Sequence, residues 1–552
     1  MLNKITVIAA LLISTFVSGQ TAPRKYWIQF TDKNNSSFSV SSPELFLSEK
    51  SIERRAKFNL GFDDLDLPVN SQYVDAVLAT GNCTLHNFSK WFNAITISTE
   101  DSTLIETIAN LPFVLQVRNV EVYHTSHQMV VNEKRSSATT GSTESRCENV
   151  YGPSFRQIDM LHGTLLHALE YTGSGIDIAQ FDAGWNMTER LPAFQRLRNE
   201  GRIKLTRDFV YHDNVYNLSN HGTFVLSTMA GWMSDSLIGT GPDANYFLFR
   251  TEDPLSENLV EEDNWIAAAE LCDSLGIDII NSSLGYSEFD DANLNHTYAD
   301  MDGNTTRCSI AADIAAAKGI LVVNSAGNSG DNSWRYITAP SDADSILCVG
   351  AVDANRHHAY FSSYGPSSDG DVKPDVVTMG LATVYADLDS TINIGNGTSF
   401  SAPILSGMMA CLMQAFPNKS NVEIIDAVRR SGHTYLTPTD SLGYGVPDMI
   451  RAFSLLSENT SNPKGDLQAV VFPNPCRDYL NVLLLDNMYC DIDYEIYDAV
   501  GKRIHENRGV VVSEKNAVVR LDEAVKFLSD GNYTLHLSRA GWHSVLHFTK
   551  LK

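Results

Sequence analysis

A chain of 552 residues, 43% hydrophobic and 19% charged, has ordinary globular composition and is too long for one small domain. Its formal charge of −25, with no Lys/Arg run long enough to make a patch, argues against a nucleic-acid partner, because phosphate binding needs clustered basic residues. The acidity itself reads as a solubility feature.

Lys4 precedes an apolar run over 5–16, and Val17-Ser18-Gly19 then supplies small residues, which predicts a signal peptide over 1–19 cut before Gln20. The run is shorter than the ~20 residues that span a bilayer. No later segment is apolar enough to span a bilayer, so a soluble exported product is expected. Such a product permits disulfides among its eight cysteines. By region, Cys272–Cys308 and Cys476–Cys490 are candidate bridges, with connectivity left open. No cysteine pair has CxxC or zinc spacing, so no metal site is expected.

Strands over 26–30 and 92–97, helices over 45–58 and 103–110, and alternating apolar residues over 114–122 define a small α+β unit, assigned to 20–135. The polar stretch 133–142, which contains Lys134-Arg135, has no apolar periodicity and marks a flexible, protease-accessible linker at 136–150. From 151 to 456 the pattern changes. Strands over 176–181, 245–250, 277–281, 319–324 and 345–352 are separated by amphipathic helices, among them 264–275 and 310–318. That alternation predicts an α/β fold, a parallel sheet flanked by helices, with reactive groups at the carboxyl ends of the strands. A polar linker at 457–466 leads to short strands over 479–485, 494–497, 510–512, 517–521, 533–538 and 544–549. They predict a C-terminal antiparallel β-sandwich over 467–552.

Four clusters stand where chemistry could gather. Phe181-Asp182-Ala183-Gly184 ends an apolar strand, and Asn220-His221-Gly222-Thr223 opens a buried helix. Asn324-Ser325-Ala326-Gly327-Asn328-Ser329-Gly330 is a glycine-rich turn, and Gly397-Thr398-Ser399-Phe400-Ser401-Ala402-Pro403 opens an apolar helix running to about 415. Singly, each is bland, since Asp is a common turn residue and His a common helix-start residue. Together they supply what acyl transfer requires. A serine needs an imidazole to take its proton, and the imidazole needs a carboxylate to fix its tautomer. The oxyanion needs preorganised donors, which the Ser399 N–H at a helix N-terminus and the Asn328 side chain can offer.

In that order, D-x-G, H-G-T, A-G-N and G-T-S-x-x-x-P resemble the motifs of subtilisin-like serine proteases. The resemblance implies Asp182, His221 and Ser399 as catalytic triad and Asn328 in the oxyanion hole. It also implies that Ser283-Leu284-Gly285 pairs with substrate backbone by β-augmentation, and that Ser325, Ala326 and Gly327 help wall the S1 pocket. Phe361-Ser362-Ser363-Tyr364-Gly365 and Lys373-Pro374-Asp375-Val376 match further family landmarks. Two positions depart: Ala183 stands where many members carry Thr or Ser, and Phe400-Ser401 where many carry Met-Ala. Neither removes a group the chemistry needs.

By position and size the amino-terminal unit resembles a subtilase propeptide, an intramolecular inhibitor and folding aid. The carboxy-terminal unit carries Phe472-Pro473-Asn474-Pro475, Tyr494-Glu495-Ile496-Tyr497-Asp498 and Phe548-Thr549-Lys550. It resembles the type A sorting domain of the type IX secretion system of Bacteroidetes-type bacteria, which implies passage across the outer membrane to the surface or medium. A carbohydrate-binding or spacer sandwich is the other reading. The acidic loop 290–304 has oxygen ligands that could hold structural calcium, but it lacks the EF-hand pattern and reads first as a solvated loop. The expectation is a monomeric secreted serine endopeptidase acting on proteins or peptides, with no required cofactor. The alternatives are a catalytically silent scaffold used for surface binding, and ligation or ester chemistry by the same triad.

Overall fold

The computed structural model describes residues 24–121, 148–457, 469–472, 474–477, 479–484, 491–510, 518–539 and 542–551. The signal segment, Lys134-Arg135, Cys147, Cys490 and most of both linkers lie outside these residues.

The first unit is an antiparallel sheet of β1 (Arg24–Phe30), β2 (Cys83–Ser89), β3 (Ala94–Thr99) and β4 (Val114–Asn119), in the order β2-β3-β1-β4. Its helix α1 (Glu49–Phe58) begins later than the expected 45, because the Ser48 side chain accepts from Ser51 N–H and caps it there. A helix at Ser71–Leu78 and strand β2 escaped the sequence pattern. In β2, His86, Asn87 and Ser89 are polar yet buried, so hydrophobic alternation gave no signal.

The middle of the chain forms a seven-stranded parallel sheet. Its strands are β5 (Asp177–Asp182), β6 (Ile203–Asp208), β7 (Asn245–Arg250), β8 (Ile279–Ser282), β9 (Leu321–Ser325), β10 (Leu347–Val352) and β11 (Val376–Met379). They run in the order β11-β10-β9-β8-β5-β7-β6, so β5 and β8 sit near the centre. Helices cover both faces, which is why most strands read as continuous apolar runs. Along β5, Ile178 packs into one apolar cluster while Ala179 and Phe181 pack into the other, the two-residue period of a strand. The Ile178 side is covered by α2 (His221–Ala230) and α3 (Thr398–Ala415), and the Phe181 side by α4 (Val260–Leu275) and α5 (Arg307–Ala317).

Helix α4 starts four residues before the expected 264, with Glu261, Glu262 and Asp263 in its first turn, where the helix dipole favours acids. Helix α5 starts at Arg307 because the Thr306 side chain accepts from Ser309 N–H. The first unit lies on α4. Asp273 of α4, fully buried, accepts from Arg54, Arg55 and Lys90 of the first unit at 3.1, 2.7 and 2.9 Å. Glu270 accepts from Ser89 Oγ and from the Lys90 and Trp91 N–H groups. Part of the chain's acidity is therefore interior and paired, which corrects its reading as surface solubility alone.

The last unit has two antiparallel sheets, one joining Ala469–Phe472, Asn481–Leu484 and Val518–Arg520, the other Ile492–Asp498, Arg503–Val510, Gly531–Arg539 and Trp542–Lys550. Their inner faces share one apolar cluster that includes Val471, Val482, Ile496, Leu535 and Phe548. The expected strand at 510–512 is the end of Arg503–Val510, and its last two residues lie outside the described set. Cys272 and Cys308 are buried free thiols rather than a bridge: each is fixed in the apolar layer by its own helix, and regional proximity did not pair the sulfurs. Cys476 is also free. Among the described residues no helix is long and apolar enough to cross a membrane.

Candidate active site

Asp182 is the last residue of β5 and is fully buried. His221 is the first residue of α2, and its Nδ1 donates to Asp182 Oδ1 at 2.8 Å with 18% of its side chain exposed. A carboxylate only accepts, so the ring proton sits on Nδ1 and Nε2 is left as the basic nitrogen. Asp182 Oδ1 also accepts from Ala183 N–H at 2.8 Å, and Oδ2 accepts from Gln180 Nε2 at 3.2 Å. Helix α2 approaches this strand end closely. A Cβ at Gly222 would come within 2.5 Å of Gly184 O and 2.9 Å of the Trp185 ring, so the glycine after His221 is a steric requirement.

Just behind Asp182, Thr251 N–H donates to the Asp182 carbonyl at 3.1 Å. The next residue, Glu252, accepts from Tyr286 Oη at 2.5 Å and from Thr251 Oγ1 at 3.0 Å. Burial above all, with the Asp182 charge adding to it, pushes the Glu252 carboxyl up to about 7.

Ser399 is the second residue of α3, and its Oγ donates to Ser283 O at 3.5 Å. Four residues on, Pro403 has no N–H to offer the Ser399 carbonyl. The Ser283 hydroxyl fills that gap, donating to Ser399 O at 3.0 Å. A helix-interior proline is thereby tolerated, and the segment Ser283-Leu284-Gly285 beyond β8 is tied to the serine. Asn328 Oδ1 accepts from Thr398 N–H at 2.9 Å and Thr398 Oγ1 at 3.0 Å. With its oxygen engaged at the start of α3, the amide nitrogen is the end available to donate.

Ser325, Ala326 and Gly327 continue from β9. Gly327 has φ +104°, a left-handed value that favours glycine, and its carbonyl accepts from Ser363 N–H at 3.0 Å. Asn324 Nδ2 reaches Leu284 O at 3.0 Å and Ser325 O at 3.0 Å, linking the two segments. The structure thus gathers the sequence-derived residues at the carboxyl edge of β5, β8 and β9. Two further residues, Gln180 and Thr338, had no motif to flag them. Gln180 acts through the bonds just described, as does Ser283, which the Ser283-Leu284-Gly285 motif had already marked. Thr338 is buried with an unpartnered hydroxyl, and a Cβ on Gly285 would collide with that oxygen while one on Gly327 would come within 3.2 Å of it. The only sequence signal for Gln180 was a polar residue inside an apolar strand.

Among the described residues, two groups of three carboxylates come close enough to share a cation, Glu252/Glu257/Glu261 and Asp344/Asp369/Asp371. Neither uses the loop 290–304. There, Asp300 accepts from Thr297 N–H and Oγ1, and Asp302 from Asn304 N–H, bonds that shape the turns.

A parallel sheet with Asp, His, Asn and Ser at its carboxyl edge defines the class of fold and site. Residues 174–445 match the subtilase family of S8 peptidases, and the chain belongs to that family. Residues 25–138 match the S8 propeptide domain of Bacteroidota, and 470–546 match a secretion system C-terminal sorting domain. Among curated proteins, the chain is 26% identical over 311 residues to the membrane-bound transcription factor site-1 protease of Rattus norvegicus, covering 54% of this chain and 27% of the relative. The human protein of the same name is 26% identical over 321 residues, covering 56% and 27%. Subtilisin NAT of Bacillus subtilis subsp. natto is 26% identical over 292 residues, covering 52% and 68%. The chain therefore spans about a quarter of the site-1 proteases it matches and two thirds of the subtilisin.

Proposed function

We propose that the protein is an exported serine endopeptidase that hydrolyses peptide bonds through an acyl-enzyme on Ser399. The observation that carries this reading is the Asp182–His221 hydrogen bond at the same sheet edge as a serine in the first turn of a long helix. His221 Nε2 takes the Ser399 proton as Oγ attacks the carbonyl carbon, then returns it to the leaving amine. Asp182 keeps the imidazole oriented and balances its charge. The Ser399 N–H and Asn328 Nδ2 receive the oxyanion, and the Thr398 bonds to Asn328 Oδ1 hold that amide ready, so little reorganisation is left to the transition state. A substrate strand pairs with 283–285, and its P1 side chain enters between that segment and 325–327, with Thr338 beside both glycines.

The matched propeptide domain acts as an intramolecular inhibitor until it is removed, and the matched sorting domain directs export to the surface or medium by type IX secretion. The test is fluorophosphonate labelling and cleavage of a diverse peptide library by the purified protein beside Ser399→Ala. Labelling and cleavage by the parent alone is the expected result. Cleavage by both proteins, or labelling that persists in the variant, overturns the reading.

A further inference from the structure

Gln180 is the polar residue in the middle of β5, fully buried two positions before Asp182 and on the same face of the strand. An uncharged amide at such a site costs stability unless its donors and acceptor find partners. Here three bonds do so. Nε2 donates to Asp182 Oδ2 at 3.2 Å and to Gly222 O at 3.0 Å, while Oε1 accepts from Trp185 Nε1 at 3.1 Å. The pattern fixes the amide's orientation without ambiguity, because two pure acceptors face its nitrogen and a pure donor faces its oxygen. A flip would break all three.

The partners matter more than their number. Asp182 Oδ1 is already used by His221 Nδ1 and Ala183 N–H. The residue after Asp182 is alanine and has no hydroxyl to offer the second oxygen. Gln180 supplies the side-chain donor to Oδ2, and its other N–H holds the carbonyl of Gly222, the residue next to His221. One side chain thus spans the carboxylate and the first turn of the helix that carries the imidazole. Trp185 in turn keeps the amide from rotating.

We infer that Gln180 is a positioning residue for the Asp182–His221 pair, locking the carboxylate rotamer so that Oδ1 faces Nδ1. The inference rests on the serine-peptidase reading above. A hydrogen bond to a carboxylate stabilises its charge and weakens its pull on a neighbouring cation. Removing it leaves the carboxylate charge to act more fully on the imidazolium, so turnover should need higher pH.

The experiment compares the purified parent, Gln180→Met, Trp185→Phe and Ser399→Ala in peptide hydrolysis over a pH series, with thermal unfolding of each protein. In Gln180→Met, kcat is expected to fall about 10- to 100-fold, the scale of losing one hydrogen bond to a charged group. KM should stay near the parent's, and the acid limb of kcat/KM should move to higher pH. Trp185→Phe frees the amide to rotate and should give the same split and the same direction of shift, reduced in size. Glu252, whose carboxyl the Asp182 charge helps push up, and Arg250, whose guanidinium donates to Ala183 O at 2.9 Å and pairs with Asp208, are unchanged in both variants. A folded Gln180→Met with the parent's kcat and acid limb overturns the inference, as does a lower kcat that only follows a lower Tm with the limb unmoved. If Gln180→Met fails to fold, Trp185→Phe decides, and a parent-like pH profile and kcat in that variant overturn the inference. Turnover that does not depend on Ser399 removes the serine-peptidase reading and this role together. Ser399-dependent turnover indifferent to Gln180 removes this role alone.

Discussion

The two sides of the central sheet bury polar groups in opposite ways. Under α2 and α3, the polar groups next to the active-site residues are mostly neutral: Gln180 beside Asp182 and His221, and Thr398 beside Asn328. On the outer side of α4 they are ions. Asp273 meets Arg54, Arg55 and Lys90, Arg55 also pairs with Asp66 at 2.7 Å, and Lys318 reaches Asp66 at 3.1 Å. Neutral amides orient a reacting pair without adding a field that would compete with it. Paired ions instead give an interface that is strong only while every partner is in place. The first arrangement suits a permanent site, and the second suits an interface that parts once any one partner is lost.

The largest expected effect tests the ionic side. Asp273→Ala leaves three cations buried beside an absent partner, and losing one member of such a group costs about 3–5 kcal/mol. Made in a Ser399→Ala background to hold the chain intact, it should lower the denaturation midpoint of the transition that reports the propeptide unit. An unchanged midpoint would mean that the ions are not what holds the two units together.

Next is the neutral side. Asn328→Ala should cost about 2.7–4 kcal/mol of transition-state stabilisation, seen as a lower kcat with little change in KM. An equal loss in Asn328→Asp, whose carboxylate oxygens cannot donate, would tie the effect to the Nδ2 donor rather than to packing.

Acid should separate the two sides. His86 of β2 is buried at the interface, its ring against Asn264 at 3.1 Å and His212 beside it. Burial, with Lys25 and His212 adding to it, pushes its pKa down to about 3. A histidine held neutral in the docked state contributes stability above its free value near 6.5 and loses it as pH falls. The His86 contribution to docking should therefore weaken by about 1.4 kcal/mol per pH unit from about 6.5 downward, opposed in part by Glu270, whose carboxyl burial pushes up. Arg55 and Lys318 hold Asp66, and Lys90 with Arg55 and Arg54 holds Asp273, below the usual carboxylate range, so their contribution is lost only at more acidic pH and in the same direction. His86→Gln should flatten the slope above pH 5 in a pH series of the unfolding midpoint. A slope identical to the parent's would remove His86 from the account.

The smallest effect is expected at the join between substrate segment and nucleophile. Ser283→Ala returns the Ser399 carbonyl to an unpaired state, a loss of about 1 kcal/mol. A drop in fluorophosphonate labelling rate larger than the stability change would show that Ser283 also orders the serine's turn.

Legibility in the sequence followed from where each residue stands in the chain. Asp182, His221, Asn328 and Ser399 were readable because each adjoins a strand or helix terminus with glycine or small neighbours. Strand β7 at Asn245–Arg250 and helix α3 at Thr398–Ala415 were readable because unbroken apolar runs leave one interpretation. Strand β2 was not, since its buried face is polar and meets another unit. Nor were the acids of α4: Glu261, Glu262, Asp263 and Asp273 look like a solvated helix face, yet each is nearly or fully buried.

By itself the sequence determined the alternation of strands and helices, the order of the four motif residues and the three-part organisation that the family matches reflect. These depend on local periodicity and on residues adjacent in the chain. The tertiary structure alone decided that Gln180 holds Asp182, that Ser283 replaces the hydrogen bond Pro403 cannot make, and that Arg55 and Lys90 neutralise Asp273 from another unit. Those contacts join residues distant in sequence or on different elements. Their chemistry depends on burial and on direction, and neither is set until the sheet closes and the helices pack.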